Sequence, residues 1–239
     1  VSGVGSVKTS DGHSNVVPRG RDAHHNPPRL GPKKDARVSG KRRLVLLGNR
    51  GHASSVAEAA ESSVFSVERL IDISSSDGGS SSLLGALREL DLKSTSLALG
   101  IGPNHVRNTV HTEVVQAFPT AQFPSIVHLS AWVSPSAVLG DGAVVLAHAS
   151  VGANAELGLG ALINTGASLD HDSTLSDFAS LGPGSRTGGN TLIGPRTMLG
   201  LQAGILQGRT VGEDTVVGAH SLVIEDIPAL SVAIGTPCR

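Results

Sequence analysis

From residue 133 to residue 223 an aliphatic side chain returns at every sixth position but one, a spacing that neither a helix (about 3.6 residues per turn) nor a strand (about 2) produces. The series runs Val133, Leu139, Val145, Val151, Leu157, Ile163, Leu169, Leu175, Leu181, Thr187, Ile193, Leu199, Ile205, Val211, Val217, Val223, and Thr187 alone is not Val, Leu or Ile. Two residues before each aliphatic the side chain is small, from Ala131 to Ser221, with Arg209 the one exception. Glycine often follows the aliphatic, as at Gly140, Gly152, Gly182 and Gly200, and is read as the residue that permits sharp corners. Each unit is then one short strand and one corner, with the aliphatic inward and the small residue giving clearance. Three units close an 18-residue triangular coil. At about 4.8 Å per layer, the units give roughly five coils and a prism about 25 Å tall. A narrow interior of this kind has no room for aromatic rings, and the chain has 2% aromatics and no Tyr.

Residues 43–125 follow a different rule. Leu44 to Leu47 is an apolar run ending in Gly48-Asn49-Arg50-Gly51-His52, followed by helical composition from Ala53 to Ser62. A second strand is expected over Val67–Asp72, a short helix over Leu83–Leu90, a third strand over Ser96–Gly102 and a helix over Asn104–Ala117. Strands alternating with helices predict a small Rossmann-like parallel sheet. Gly48-Asn49-Arg50-Gly51 is not the GxGxxG of dinucleotide enzymes, so NAD binding is not expected. Glycine-rich turns before helix N-termini do suit phosphate oxygens, although they also serve simply to shape strand-to-helix turns.

Residues 1–42 are expected to form a disordered basic tail. Through residue 43 the chain has ten Lys or Arg against three Asp, while its net charge as a whole is −1. Gly, Pro, Ser and His enrichment without aromatic stacking residues argues against nucleic-acid binding there. The single Cys238 excludes an internal disulfide framework and any cysteine metal cluster. No apolar run approaches the roughly 20 residues of a bilayer span, and no signal-peptide layout is present. A cytoplasmic protein without membrane insertion is expected.

The repeat carries unusual residues at Asn164–Ser173. Ile163 and Leu169 keep the inward register, which places His171 two residues past an inward position, on a corner and facing outward. Asp170 and Asp172 flank it on an otherwise charge-poor prism. A carboxylate beside an imidazole holds its tautomer and favours its protonated form, as a general base requires; an exposed corner histidine without a role fits the same spacing. His148 sits three past an inward position. Together with His171 it leaves open a zinc site of the kind found in β-helix carbonic anhydrases, but position 176, where a further histidine ligand would stand, is Ser. A non-catalytic scaffold is the third reading.

The stretch NTGASLDHDSTLSDF at Asn164–Phe178 resembles the NeuD/PglD-like sugar O-/N-acyltransferases of bacterial surface-glycan pathways. So do Leu47–Ala53, Gly100–Arg107, Gly188-Gly189-Asn190 and Gly235-Thr236-Pro237. The resemblance spans about 44–239. It implies a left-handed parallel β-helix over 126–239 that trimerises and transfers an acetyl group from acetyl-CoA to an amino or hydroxyl group of a nucleotide-linked sugar, without a metal. It further implies that His171 is the general base and Asp172 the acidic neighbour that raises its pKa. Acetyl-CoA is expected between subunits against Ser180, Leu201 and Ala219, with Ser180 replacing a histidine that some members carry. The acceptor is expected at Gly51, His52 and Ala53, with Asp72 and Ile101.

Overall fold

The computed structural model describes residues 40–48, 51–73 and 80–238. The basic segment expected as a disordered tail lies outside them up to residue 39, as do Asn49 and Arg50. The described residues form one compact unit, which begins with β1 (Arg42–Leu47), α1 (Gly51–Glu61), β2 (Phe65–Ile71), α2 (Ser80–Arg88), β3 (Thr95–Leu99) and α3 (Asn104–Ala117). The three strands pair in parallel in the order β2-β1-β3. β1 starts at Arg42, two residues before the apolar run, because its ladder extends to Arg42 opposite Phe65. β3 stops at Leu99, short of the expected Gly102. Its end is set by Gly100, where a Cβ would lie 2.9 Å from the Ala53 Cβ. The chain there is pressed against α1, and Gly100–Gly102 becomes a loop.

After Phe123 the chain winds into a left-handed parallel β-helix of about six turns. Its faces are parallel sheets of seven, six and five strands. The first face carries strands at Ile126, Val144, Leu162, Ser180, Met198, Val216 and Val232; the second at Trp132, Ser150, Ser168, Arg186, Gly204 and Leu222; the third at Val138, Glu156, Thr174, Leu192 and Thr210. Strands at Ile126–Val127 and Val232–Ala233 lie beyond the regular six-residue series, so the solenoid is longer than the five coils expected. The aliphatic series points inward as predicted: Val145, Ile163, Leu181, Leu199 and Val217 are fully buried. Each such side chain contributes on the order of 1.5–3 kcal/mol.

Two details of the coil differ from the expectation. The small residues do more than give clearance. Ala143, Ala161, Ser185 and Thr197 are themselves fully buried, because strand alternation sends positions two apart to the same side. The glycines after the aliphatics are not the corner-turners either. Left-handed φ occurs two residues later, at Asn154 (57°), Asp172 (56°), Arg196 (57°) and Gly184 (66°) among others. What Gly152 supplies is thinness: a Cβ there would sit 2.5 Å from the His171 amide nitrogen of the next coil.

The α/β unit lies across the first face. Leu44, Leu46, Ala53 and Phe65 share a core with Ile126, Val144 and Leu162, while Phe123 and Phe178 join Val45, Leu97 and Val110 in a second. The Phe residues are thus used at this junction and not inside the prism. Arg107, in α3, clasps the two parts. Its guanidinium donates to the carbonyls of Gly160 (2.8 Å), Phe178 (2.9 Å), Gly102 (2.8 Å) and Ile101 (3.2 Å), and to Asn104 Oδ1 (3.0 Å). Burial lowers its pKa to about 10, which leaves it charged at neutral pH.

Candidate active site

Leu169 is buried, and Asp170, His171 and Asp172 then round the edge between the second and third faces. The His171 side chain is 59% exposed. Its Nδ1 lies 2.8 Å from Asp172 Oδ2. The other carboxylate oxygen of Asp172 accepts from Asn154 Nδ2 at 3.0 Å, one coil below. The main-chain N–H of His171 donates to Asp170 Oδ1 at 2.8 Å. An ionised Asp172 is acceptor-only, so Nδ1 carries the proton and Nε2 is left with its lone pair outward. One coil above stands Gly189, where a Cβ would run into the imidazole ring. The ring therefore lies over bare backbone.

Electrostatics follow this geometry. The hydrogen bond to Asp172, then the charge of Asp170, raises the His171 pKa above its ordinary value. Asn154, then His171, holds the Asp172 carboxyl below the usual range. Replacing Asp172 with Asn is expected to lower the His171 pKa, read from the ring proton shifts across a pH titration. An unchanged midpoint would show that Asp172 does not set it.

A second cluster forms at the carboxyl edge of the small sheet. Because β1 lies between β2 and β3, the ends of β1 and β3 adjoin at a topological switch point, where open α/β sheets leave a crevice. Gly48 (φ 124°) makes the close approach possible, since a Cβ there would lie 2.5 Å from Gly100 O. Gly51 is exposed at the start of α1, and His52 is half-buried beside Gly102. Burial, then the charge of Arg107, pushes the His52 pKa down to about 4, so its ring is neutral at pH 7. Ala53 and Ile101 are buried with their side chains in the core, which leaves only their main chains to face a ligand. Asp72 is exposed just past β2.

The third group is divided. Leu201 (47% exposed) and the exposed Ala219 stack on successive coils along the edge between the first and second faces. Ser180 is only 5% exposed, on the first face between Leu162 and Met198. One chain therefore carries His171 on one edge, Leu201 and Ala219 on another, and the α/β unit across the face opposite His171. His148, also exposed with φ 58°, lies on the Leu201 edge and not beside His171. Among the described residues no group of three or more His, Cys, Asp or Glu is placed to hold a metal, and no helix is long and apolar enough to cross a membrane.

Sequence reasoning assigned no role to Asn154, Gly189 or Arg107. Arg107 and Gly189 stood inside matched motifs. Asn154 had no signal beyond lying 18 residues, one coil, before Asp172.

No protein-family model matches the chain. A histidine-to-alanine mutant of GDP-perosamine N-acetyl transferase from Caulobacter crescentus, solved in complex with CoA and GDP-perosamine, is 33% identical. The match covers 82% of this chain and 95% of that one, with a TM-score of 0.75. The acetyltransferase domain of PglB from Neisseria gonorrhoeae, in complex with acetyl coenzyme A, is 32% identical over 84% of this chain and 99% of that one, also with a TM-score of 0.75. Among curated proteins, candidate acetyltransferases of Staphylococcus aureus are 51% identical over 35 residues, or 15% of this chain. The match spans 18% of the length of those relatives.

Proposed function

The chain belongs to the NeuD/PglD-like family of hexapeptide-repeat sugar acetyltransferases, and from that premise we propose that it moves an acetyl group from acetyl-CoA to an amino or hydroxyl group of a nucleotide-linked sugar. The observation that carries this reading is the Asn154–Asp172–His171 chain of hydrogen bonds ending in an outward imidazole. His171 Nε2 accepts the proton of the acceptor amine or hydroxyl as that atom attacks the thioester carbonyl. The C–S bond of the tetrahedral intermediate then breaks, and the imidazolium returns the proton to the departing thiolate. Asp172 stabilises the imidazolium between the two steps, and a main-chain N–H supplies the oxyanion contact. No acyl-enzyme is formed.

The placement of the three groups supports a site shared between copies. In a homotrimer the His171 edge of one chain faces the Leu201 and Ala219 edge of its neighbour, and the cleft between them takes the pantetheine arm. Leu201 and Ala219 contribute shape and main chain there. Ser180, being buried, contributes through its main chain. The acceptor lies at the Gly51, His52 and Ala53 turn with the main chain of Ile101 and with Asp72. A neutral His52 offers a hydrogen bond without a charge. In this reading the reaction takes place in the cytoplasm, ahead of transfer of the acetylated sugar into a surface glycan.

The test is to incubate the protein with acetyl-CoA and a panel of nucleotide-linked amino sugars and to follow free thiol. Thiol release that requires one acceptor is the expected result. Release no faster with any sugar or sugar nucleotide than with acetyl-CoA alone counts against the reading.

A further inference from the structure

Thr187 is the one member of the inward series that is not aliphatic, and its place in the fold is specific. It stands on the coil directly above Leu169, the last inward residue before His171. Along the second face, the N–H that follows an inward residue donates to a main-chain carbonyl of the next coil, as Gly152 does to Leu169 O (2.8 Å) and Gly188 to Ile205 O (2.8 Å). Asp170 departs from this rule. Its N–H donates to the Thr187 side-chain Oγ1, at 3.0 Å. The strand ladder records the same departure: Ser168–Leu169 and Arg186–Thr187 are in register at Ser168 and Arg186 alone, whereas the other neighbouring strands of the prism are in register at two residues. The Ser173 hydroxyl, at 3.3 Å from both His171 O and Gly188 O, ties the far side of the same corner to the coil above.

A hydroxyl on a side chain occupies a different place from the carbonyl it substitutes for, so the chain at Asp170 is set off from the regular coil. Asp170 in turn holds the His171 N–H through Oδ1, and the ring meets Asp172 through Nδ1 while lying over Gly189. We propose that Thr187 is a positioning residue for His171: by taking the Asp170 N–H on its hydroxyl, it interrupts the ladder and sets the corner that aims the imidazole. This rests on the reading of His171 as the base. Thr187 is 7% exposed and lies within the prism wall, so it acts through the backbone and touches no substrate.

The test compares Thr187→Val and Thr187→Ser with the unaltered protein. Valine keeps the branched shape and removes one buried hydroxyl, and Asp170 can re-pair with the main-chain carbonyl of residue 187, so the fold is retained. The expected result for Thr187→Val is an unchanged melting temperature, kcat lower by about tenfold or more, and KM for acetyl-CoA little altered, since small misplacements of a reacting group are costly to rate. Its His171 ring titration, followed by NMR, moves toward the ordinary imidazole midpoint as the Asp172 contact loosens. Thr187→Ser restores both readouts. A Thr187→Val protein with unaltered kcat and an unaltered His171 titration overturns the proposal, and so does a loss of kcat that serine fails to restore. If His171→Ala is itself fully active, the assignment of the base falls. The NMR titration still decides whether Thr187 positions the ring.

Discussion

Replacing His171 with alanine is expected to lower kcat by about 10²–10⁴-fold, the range in which a positioned general base contributes. The loss should fall on kcat more than on KM, because the proton is transferred in the transition state and the ring is not needed to hold either substrate in the ground state. The melting temperature should not change: the side chain is 59% exposed and packs over bare glycine backbone, so no core contact is removed. A folded His171→Ala protein that releases thiol at the original rate would remove the base from the proposed mechanism. The pH profile gives an independent check. A base must be unprotonated to act, and the Asp172 hydrogen bond raises the His171 pKa. The acid limb of kcat/KM therefore lies above the pH at which an ordinary imidazole would place it, and activity falls as pH drops through that raised value.

The second large effect is on stability. Arg107→Met is expected to cost about 2–5 kcal/mol, because several buried neutral acceptors are left without a donor at about 1–3 kcal/mol each. Methionine fills much of the space, but the buried carbonyls of Gly160 and Phe178 and the partly buried carbonyl of Gly102 lose their donor. Arg107→Lys should recover only part of the loss. An ammonium has three donors on one atom, whereas the guanidinium spans the α/β loop and two coil corners with a planar fork. Urea unfolding measures both. A loss under about 1 kcal/mol for Arg107→Met would show that the clasp is not what holds the two parts together.

Much of the fold was legible because its rule is local. The six-residue series fixes which side chains point inward, and α3 was expected over Asn104–Ala117, where it is found. The helix has a plain start after Pro103 and an end before Pro119. Less was legible at the corners. Gly152 and Gly200 follow the aliphatics for a reason that one coil cannot show: the backbone of the next coil would meet their Cβ. The left-handed residues, His148, Asn154 and Asp172 among them, are mostly not glycine and so gave no composition signal.

The candidate site divides in the same way. The spacing from Leu169 put His171 on an outward edge, and Asp172 beside it was visible as a neighbour in the chain. Asn154 beneath Asp172 and Gly189 above the ring are partners across coils, 18 residues away along the chain in each case. Thr187 was visible as an exception in the series, but its role was not, because the Asp170 N–H it binds belongs to another coil.

The sequence by itself determined the period, the inward line of aliphatics, the α/β unit before them and the edge on which the imidazole stands, since each depends on residues a few positions apart. Only the tertiary structure decided that Ser180, Ala53 and Ile101 are buried, that Arg107 joins the sheet to the prism, and that His171 and Leu201 occupy different edges. Those outcomes depend on which surface the α/β unit covers and how coils stack, and stacking brings together groups whose separation along the chain contains no local preference for meeting.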